Sequence, residues 1–279
     1  MVPKILHYIW IGPYEDPLNC RATWIPIMSN YKLQVWDNNS SIHYIKKSID
    51  MLGGIKNVEG KSYTYLSDLM RLLILKDHGG IYLDHDFLIL KNFDCLIKND
   101  LTLTFQYKNE GLEQKKFTKG KSLSEIVDTE YRDILFNYAT VNNCFIAATP
   151  NNFFIDMAIE LTLKNHFVSK EEQFGMSDWG VGPEIFTRVA ESLGFDIASC
   201  VTQKIGKVTI LNHTALHPIH GIQRTLNGLE YYESMIEAAK ASEDTYAIHL
   251  HNHFGVDMFM KKENIPLSEW YNNVTKNIT

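Results

Sequence analysis

The segment DHGGIYLDHDFLIL, residues 77–90, places two aspartates inside an apolar run. Gly79 and Gly80 stop whatever precedes, and Leu88 to Leu90 resume the run after Asp86. A carboxylate without a counter-charge in such a setting costs several kcal/mol. Read as one strand, residues two apart share a face, so Asp84 and Asp86 point together and His85 points away. Two converging carboxylates repel unless a cation or a proton stands between them. Hard oxygen donors suit Mg²⁺ or Mn²⁺, and an ion held by one or two carboxylates is usually completed by substrate phosphates and water. The pair therefore suggests a metal-chelated diphosphate, set against the plainer reading of an Asp-x-Asp pair as a solvated turn or cap.

The flanks supply the setting. KILHYIWIG (4–12) is β-rich and apolar on both faces, as an inner strand of a parallel sheet is. KLQVWDN (32–38) reads as a second strand. SIHYIKKSIDMLGG (41–54) spaces Ile42, Ile45, Ile49 and Leu52 as a helix, stopped by Gly53 and Gly54. TYLSDLMRLLILKDHGG (64–80) is apolar almost all round, the mark of a buried helix, with Thr64 or Ser67 as its cap. This alternation is the α/β pattern of a doubly wound sheet, in which ligands sit beyond the carboxyl ends of the strands. Further on, NNCFIAAT (142–149) reads as a strand running into a helix capped by Thr149 with Pro150 first. GPEIFTRVAESLG opens at Pro183 and closes at Gly194, and KVTILNHTALHPIHG and TYAIHLHNHFG read as late strands.

On those residues the chain resembles glycosyltransferase family 32, and it is similar to the glucosyltransferase domain of the large clostridial toxins. The shared pattern stands here as Ser67, Asp68, Arg71, Gly79, Gly80, Tyr82, Leu83, Asp84 and Asp86, and LHYIWIG resembles the family's start. The resemblance implies an A-type glycosyltransferase fold. That is a Rossmann-like, mostly parallel central sheet with helices on both faces, here with a helical insertion. It implies a single domain over 1–279. Residues 1–106 would form the nucleotide-sugar-binding half, 107–137 a variable insertion, and 138–279 the acceptor side and C-terminal lid. It also implies a donor such as a UDP-sugar, Mn²⁺ (or Mg²⁺), and retention of anomeric configuration.

The roles it implies are specific. Asp86 binds the metal. Asp84 contacts the ribose and reaches the metal through water. Asp68 and Arg71 hold donor-sugar hydroxyls, Trp10 stacks on the base, Ser67 lies near the nucleoside, and Asn143 and the GVGPE turn (180–184) line the donor pocket. Physical reasoning agrees in part, because Asp68 and Arg71 are three apart on one helix face. An ion pair favoured by the helix dipole is the plainer alternative for them. Glu184 is equally a dipole-favoured surface acid, Trp10 equally a core aromatic, and Tyr82 is read as packing.

The carboxy-terminal half carries histidines. His249, His251 and His253 alternate, so one strand face presents all three, and His251 and His249 are the candidate metal ligands. The family closes with Ser-Trp after such a segment, whereas FGVDMF stands here. His213, His217 and His220 follow no familiar ligand spacing and read as a polar rim or acceptor side.

Composition sets the limits. The 279 residues are 45% hydrophobic and 22% charged with a formal charge of −6, which argues against a broad nucleic-acid surface. Cys20, Cys95, Cys144 and Cys200 lie far apart without a CxxC pair, so neither a disulfide framework nor a structural zinc signature is present. No stretch approaches the roughly 20 apolar residues of a membrane span. A cytoplasmic enzyme is expected, acting on a glycan or lipid-linked acceptor in bacterial surface-polysaccharide synthesis. Peripheral membrane contact stays open only through a lipid-linked acceptor, because the tail PLSEWYNNVTKNIT has little amphipathic basic character. The alternatives are a toxin-like transferase modifying a protein, a sugar-nucleotide hydrolase, and a non-catalytic binding module.

Overall fold

A computed structural model describes residues 1–16, 20–107, 139–168, 182–196, 201–218, 229–250 and 267–276. The expected insertion at 107–137, together with His220, His251 and His253, lies outside them, Tyr107 apart. The strands are β1 (Ile5–Ile9), β2 (Lys32–Trp36), β3 (Gly80–Leu83), β4 (Phe87–Ile89), β5 (Leu101–Tyr107), β6 (Ala139–Ala148), β7 (Gln203–Ile205), β8 (Val208–Leu211) and β9 (Ala247–His249). The helices are α1 (Trp24–Ile27), α2 (Ile42–Met51), α3 (Tyr63–His78), α4 (Phe153–Phe167), α5 (Pro183–Ser192), α6 (Leu229–Ala241) and α7 (Leu267–Lys276).

Among the described residues, seven strands form one sheet in the order β2-β1-β3-β6-β5-β8-β7, and β4 pairs with β9 in a separate ribbon. β1 lies between β2 and β3, parallel to both, as its two-sided apolar pattern predicts. β6 runs against β3 and β5, β8 runs with β5, and β7 runs against β8. Five of the seven strands therefore share a direction, the mostly parallel α/β sheet expected of an A-type glycosyltransferase.

The two faces are covered unequally. α2, α3, α4, α5 and Trp270 of α7 bury one face around Leu69, Leu73, Phe154 and Phe186. The other face carries the one-turn α1 and the β4–β9 ribbon, packed through Trp24, Phe87, Phe93 and Phe145. α6 lies behind that ribbon, with Ala239 against Ile248.

Two caps differ from the sequence reading. Ser62, in extended conformation, accepts from the Tyr65 amide and starts α3 one turn before Ser67. Asp68 therefore stands outside the first turn, and the helix dipole does not explain it. α4 is capped by Asn152, whose side chain accepts from the Phe154 amide, and not by Thr149. α5 does begin at Pro183, and Gly194 follows its end with φ +91°.

Gly79 and Gly80 turn α3 into β3 with φ of +61° and +99°. A Cβ on Gly80 would stand 2.8 Å from both His7 Nε2 and the Ile5 carbonyl oxygen. Gly80→Ala is expected to lower stability by about 1–3 kcal/mol from backbone strain alone, read as a fall in urea midpoint. An unchanged midpoint would contradict this packing.

His7 fixes the same corner. Its Nε2–H donates to the Gly79 carbonyl at 2.7 Å, and its Nδ1 accepts from Trp36 Nε1 at 3.0 Å. Burial pushes its pKa down to about 4. The folded state thus binds this proton less readily than the unfolded chain. The contribution is full above about pH 6.5 and fades as pH falls towards 4. His7→Gln is expected to flatten the loss of stability between those values, measured by denaturation at several pH values.

Candidate active site

β3 ends at Leu83. The Asp84 amide donates to the Cys144 carbonyl at 2.9 Å, His85 and Asp86 form a turn, and Phe87 opens β4. The continuous strand expected from Ile81 to Leu90 is therefore broken at the acids. β4 leaves the sheet to pair with β9, placing Phe87 opposite His249. The turn, and not strand alternation, brings the acids together: His249 Nε2 stands 3.0 Å from Asp86 Oδ1 and 4.0 Å from Asp84 Oδ2. One ligand atom from each of Asp84, Asp86 and His249 lies within 4.8 Å of the others. The His249 ring is stacked on Phe87, with centroids 4.8 Å apart.

A second network adjoins the first. α3 directs Asp68 and Arg71 at the sheet, where both are buried. Arg71 Nη2 pairs with Asp68 Oδ1 at 2.7 Å, and Nη1 reaches Asp84 Oδ1 at 3.1 Å and the Asn143 carbonyl at 2.9 Å. Asn143 Nδ2 donates to Asp68 Oδ1 at 2.8 Å. Tyr82 lies under the guanidinium, 4.3 Å from ring centre to Cζ, and its hydroxyl donates to Asp84 Oδ1 at 2.7 Å. Tyr82 is thus more than packing. Its place two residues before Asp84 on a strand was the available signal. Ser67 sits at the rim, its Oγ 3.4 Å from Arg71 Nη2.

Charge balance follows from these contacts. Burial opposes the Arg71 charge, but the Asp68 and Asp84 carboxylates hold the guanidinium protonated. Burial likewise opposes the His249 charge, and the Asp86 carboxylate outweighs it, raising His249 well above the ordinary imidazole value. Burial keeps the Tyr82 phenol protonated and a donor. Arg71 compensates Asp84, and imidazolium compensates Asp86. Three carboxylates (Asp68, Asp84 and Asp86) against two cations still leave one negative charge. A divalent ion fits this surplus and this oxygen–nitrogen donor set, His249 giving up its proton to ligate.

Trp10 is half-buried beyond the end of β1, its ring centroid 5.3 Å from that of His85 and its Nε1 donating to the Tyr14 carbonyl at 2.9 Å. Gly182, from the GVGPE turn, abuts the second network: a Cβ there would lie 3.2 Å from Asn143 Nδ2 and 3.4 Å from Asp68 Oδ2. Glu184 pairs with Arg188 at 3.4 Å along α5. His217 is no rim residue. It is 2% exposed and lies beneath His249 beside Cys144.

Residues 15–103 match the family model described as a glycosyltransferase sugar-binding region containing a DXD motif. The matched segment contains Ser67, Asp68, Arg71, Tyr82, Asp84 and Asp86, whereas Asn143, His217 and His249 join it from later in the chain. An uncharacterized glycosyltransferase of Acanthamoeba polyphaga mimivirus, L373, is 35% identical over 96 residues, 33% of this chain and 38% of that protein. Toxin Afp18 of Yersinia ruckeri is 29% identical over 149 residues, 53% of this chain and 6% of the toxin. The matched segments thus span less than half of either relative. Among solved structures, a PaToxG glycosyltransferase aligns over 68% of both chains, with a TM-score of 0.44 and 19% identity. No helix among the described residues is long and apolar enough to cross a membrane.

Proposed function

We propose that this chain transfers a sugar from a nucleotide-sugar donor to an acceptor hydroxyl, with a divalent ion and with retention of configuration. The observation that carries the reading is the convergence of Asp84, Asp86 and His249 beside the Asp68–Arg71 pair, within and next to the sugar-binding region. Asp86 and His249 would hold the ion, with Asp84 beside them on the ribose side. Asp68 and Arg71, locked together by Asn143, present fixed groups to the donor sugar. Trp10 and Ser67 serve the base and nucleoside side. A bound Mn²⁺ would supply Lewis-acid stabilisation of the charge developing on the diphosphate leaving group. The imidazole donor favours Mn²⁺ over Mg²⁺, which prefers an all-oxygen octahedron. The protein's own groups exclude water around the acids and fix their orientation.

The acceptor is a glycan or lipid-linked glycan of surface-polysaccharide synthesis. Similarity to toxin Afp18 over 53% of the chain favours a second reading, a protein acceptor. A panel of nucleotide sugars with Mn²⁺, UDP-sugars first, tests both. Released nucleotide that depends on a glycan or on a protein acceptor separates the two, and the anomer of the product reports retention. Release without any acceptor marks a hydrolase, and binding without release marks a module that only binds.

His249→Gln is expected to weaken Mn²⁺ binding by about 10- to 100-fold, on the scale of lost metal-site partners. The thermal shift given by Mn²⁺ with nucleotide sugar should shrink accordingly. An undiminished shift would remove His249 from the ligand set.

A further inference from the structure

Beneath the DXD turn, topology gathers three side chains that the sequence scatters. Cys144 lies on β6, His217 follows the short turn at His213–Ala215, and His249 ends β9. All three are buried, at 1%, 2% and 7% exposure. Cys144 Sγ and His217 Nε2 are 3.3 Å apart, and one ligand atom from each of the three lies within 4.8 Å of the others. The His217 and His249 rings stand edge to face, 5.1 Å between centroids and 87° between planes, so they do not stack. Phe87 closes the other side of both rings, its centroid 5.7 Å from that of His217 and 4.8 Å from that of His249. A sulfur–nitrogen pair around a tetrahedral ion, with bonds of about 2.3 and 2.0–2.1 Å, is separated by roughly 3.5 Å. The observed spacing is close to that before any adjustment.

We propose that Cys144, His217 and His249 form a second metal site, selective for borderline-soft divalent ions such as Zn²⁺ or Co²⁺. The donor chemistry separates it from the neighbouring cluster. Thiolate and imidazole favour Zn²⁺ and Co²⁺, whereas the carboxylates of Asp84 and Asp86 favour Mn²⁺. Three protein ligands leave one position of a tetrahedral ion open, in the manner of zinc sites that keep a water. On binding, the Cys144 thiol and the His249 imidazolium each exchange a proton for the metal: one S–H and one N–H bond break, one S–metal and one N–metal bond form and two protons leave, with no change of oxidation state. Without metal, burial holds that thiol protonated, its pKa pushed up to about 11, and the Cys–His contact is an ordinary hydrogen bond. His249 belongs to both clusters, so one ring links the two candidate sites. The second site does not depend on glycosyl transfer.

Co²⁺ titration of chelator-treated protein tests this. The expected result is a thiolate-to-cobalt charge-transfer absorption saturating at one equivalent and displaced by Zn²⁺. Cys144→Ser should abolish it, and His217→Gln should raise the Co²⁺ concentration needed by at least about tenfold. Asp84→Asn, which leaves the Asp86 anchor of His249 in place, should retain it, which separates this site from the DXD cluster. If Cys144→Ser does not fold, the His217→Gln titration carries the test. Absence of the absorption in the unmodified protein, its persistence in Cys144→Ser, or an unaltered titration in His217→Gln would overturn the proposal.

Discussion

Asp86→Asn is expected to reduce nucleotide-sugar turnover by at least about a hundredfold while the protein stays folded. Asparagine keeps the shape of the side chain and removes its charge. Asp86 is 4% exposed, and its carboxylate is what holds His249 charged. Losing it takes away a metal ligand and the anchor of the imidazole together. Removing one charge-stabilising group from a preorganised site typically costs 10²–10³ in rate, roughly 3–4 kcal/mol. Turnover at saturating Mn²⁺ and donor, with circular dichroism as the check on folding, measures it. Asp84→Asn gives a smaller loss, because Arg71 keeps Asp68 and Tyr82 keeps its place under the guanidinium. Equal activity in Asp86→Asn and the unmodified protein would remove Asp86 from the reaction.

Arg71→Met is expected to have the largest effect on stability, about 3–5 kcal/mol, the cost of breaking a buried ion pair from one side. The substitution strands Asp68, 5% exposed, and leaves Asp84 with Tyr82 alone on Oδ1. Urea denaturation reads it directly. Adding Asp68→Asn to Arg71→Met should restore part of the loss, since the stranded charge is then gone. Arg71→Lys should not rescue it fully. A single ammonium cannot reach Asp68, Asp84 and the Asn143 carbonyl while also covering the Tyr82 ring. A loss under about 1 kcal/mol would mean that the network is open to water.

Much of this was legible because the signals are local. The two-sided apolar pattern of Ile5–Ile9, the helical spacing of Ile42 to Ile49, the Gly79–Gly80 stop and Pro183 each depend on a few neighbours. The α3 cap was misplaced because Ser62, Thr64 and Ser67 all fit a start, and only backbone conformation chooses Ser62. The turn at His85–Asp86, the plainer reading of the acid pair, was set aside for a different reason. Alternation looks the same whether a strand continues or folds over to pair with β9, about 160 residues later. Cys144 and His217, separated by 73 residues, carry no spacing signal at all. Their neighbourhood is created by the sheet order. The Asp68–Arg71 pair was visible as a helix face, but its lock on Asn143 and Tyr82 needed β3 and β6 side by side.

The central claim is that Asp84, Asp86 and His249 make one site for a divalent ion shared with a nucleotide's diphosphate. Mn²⁺ binding followed by electron paramagnetic resonance, with and without a UDP-sugar, tests it most directly. The account predicts one bound equivalent, tightened by the nucleotide sugar, lost in Asp86→Asn and weakened in His249→Gln. Mn²⁺ binding that is indifferent to both substitutions and to the donor would contradict it.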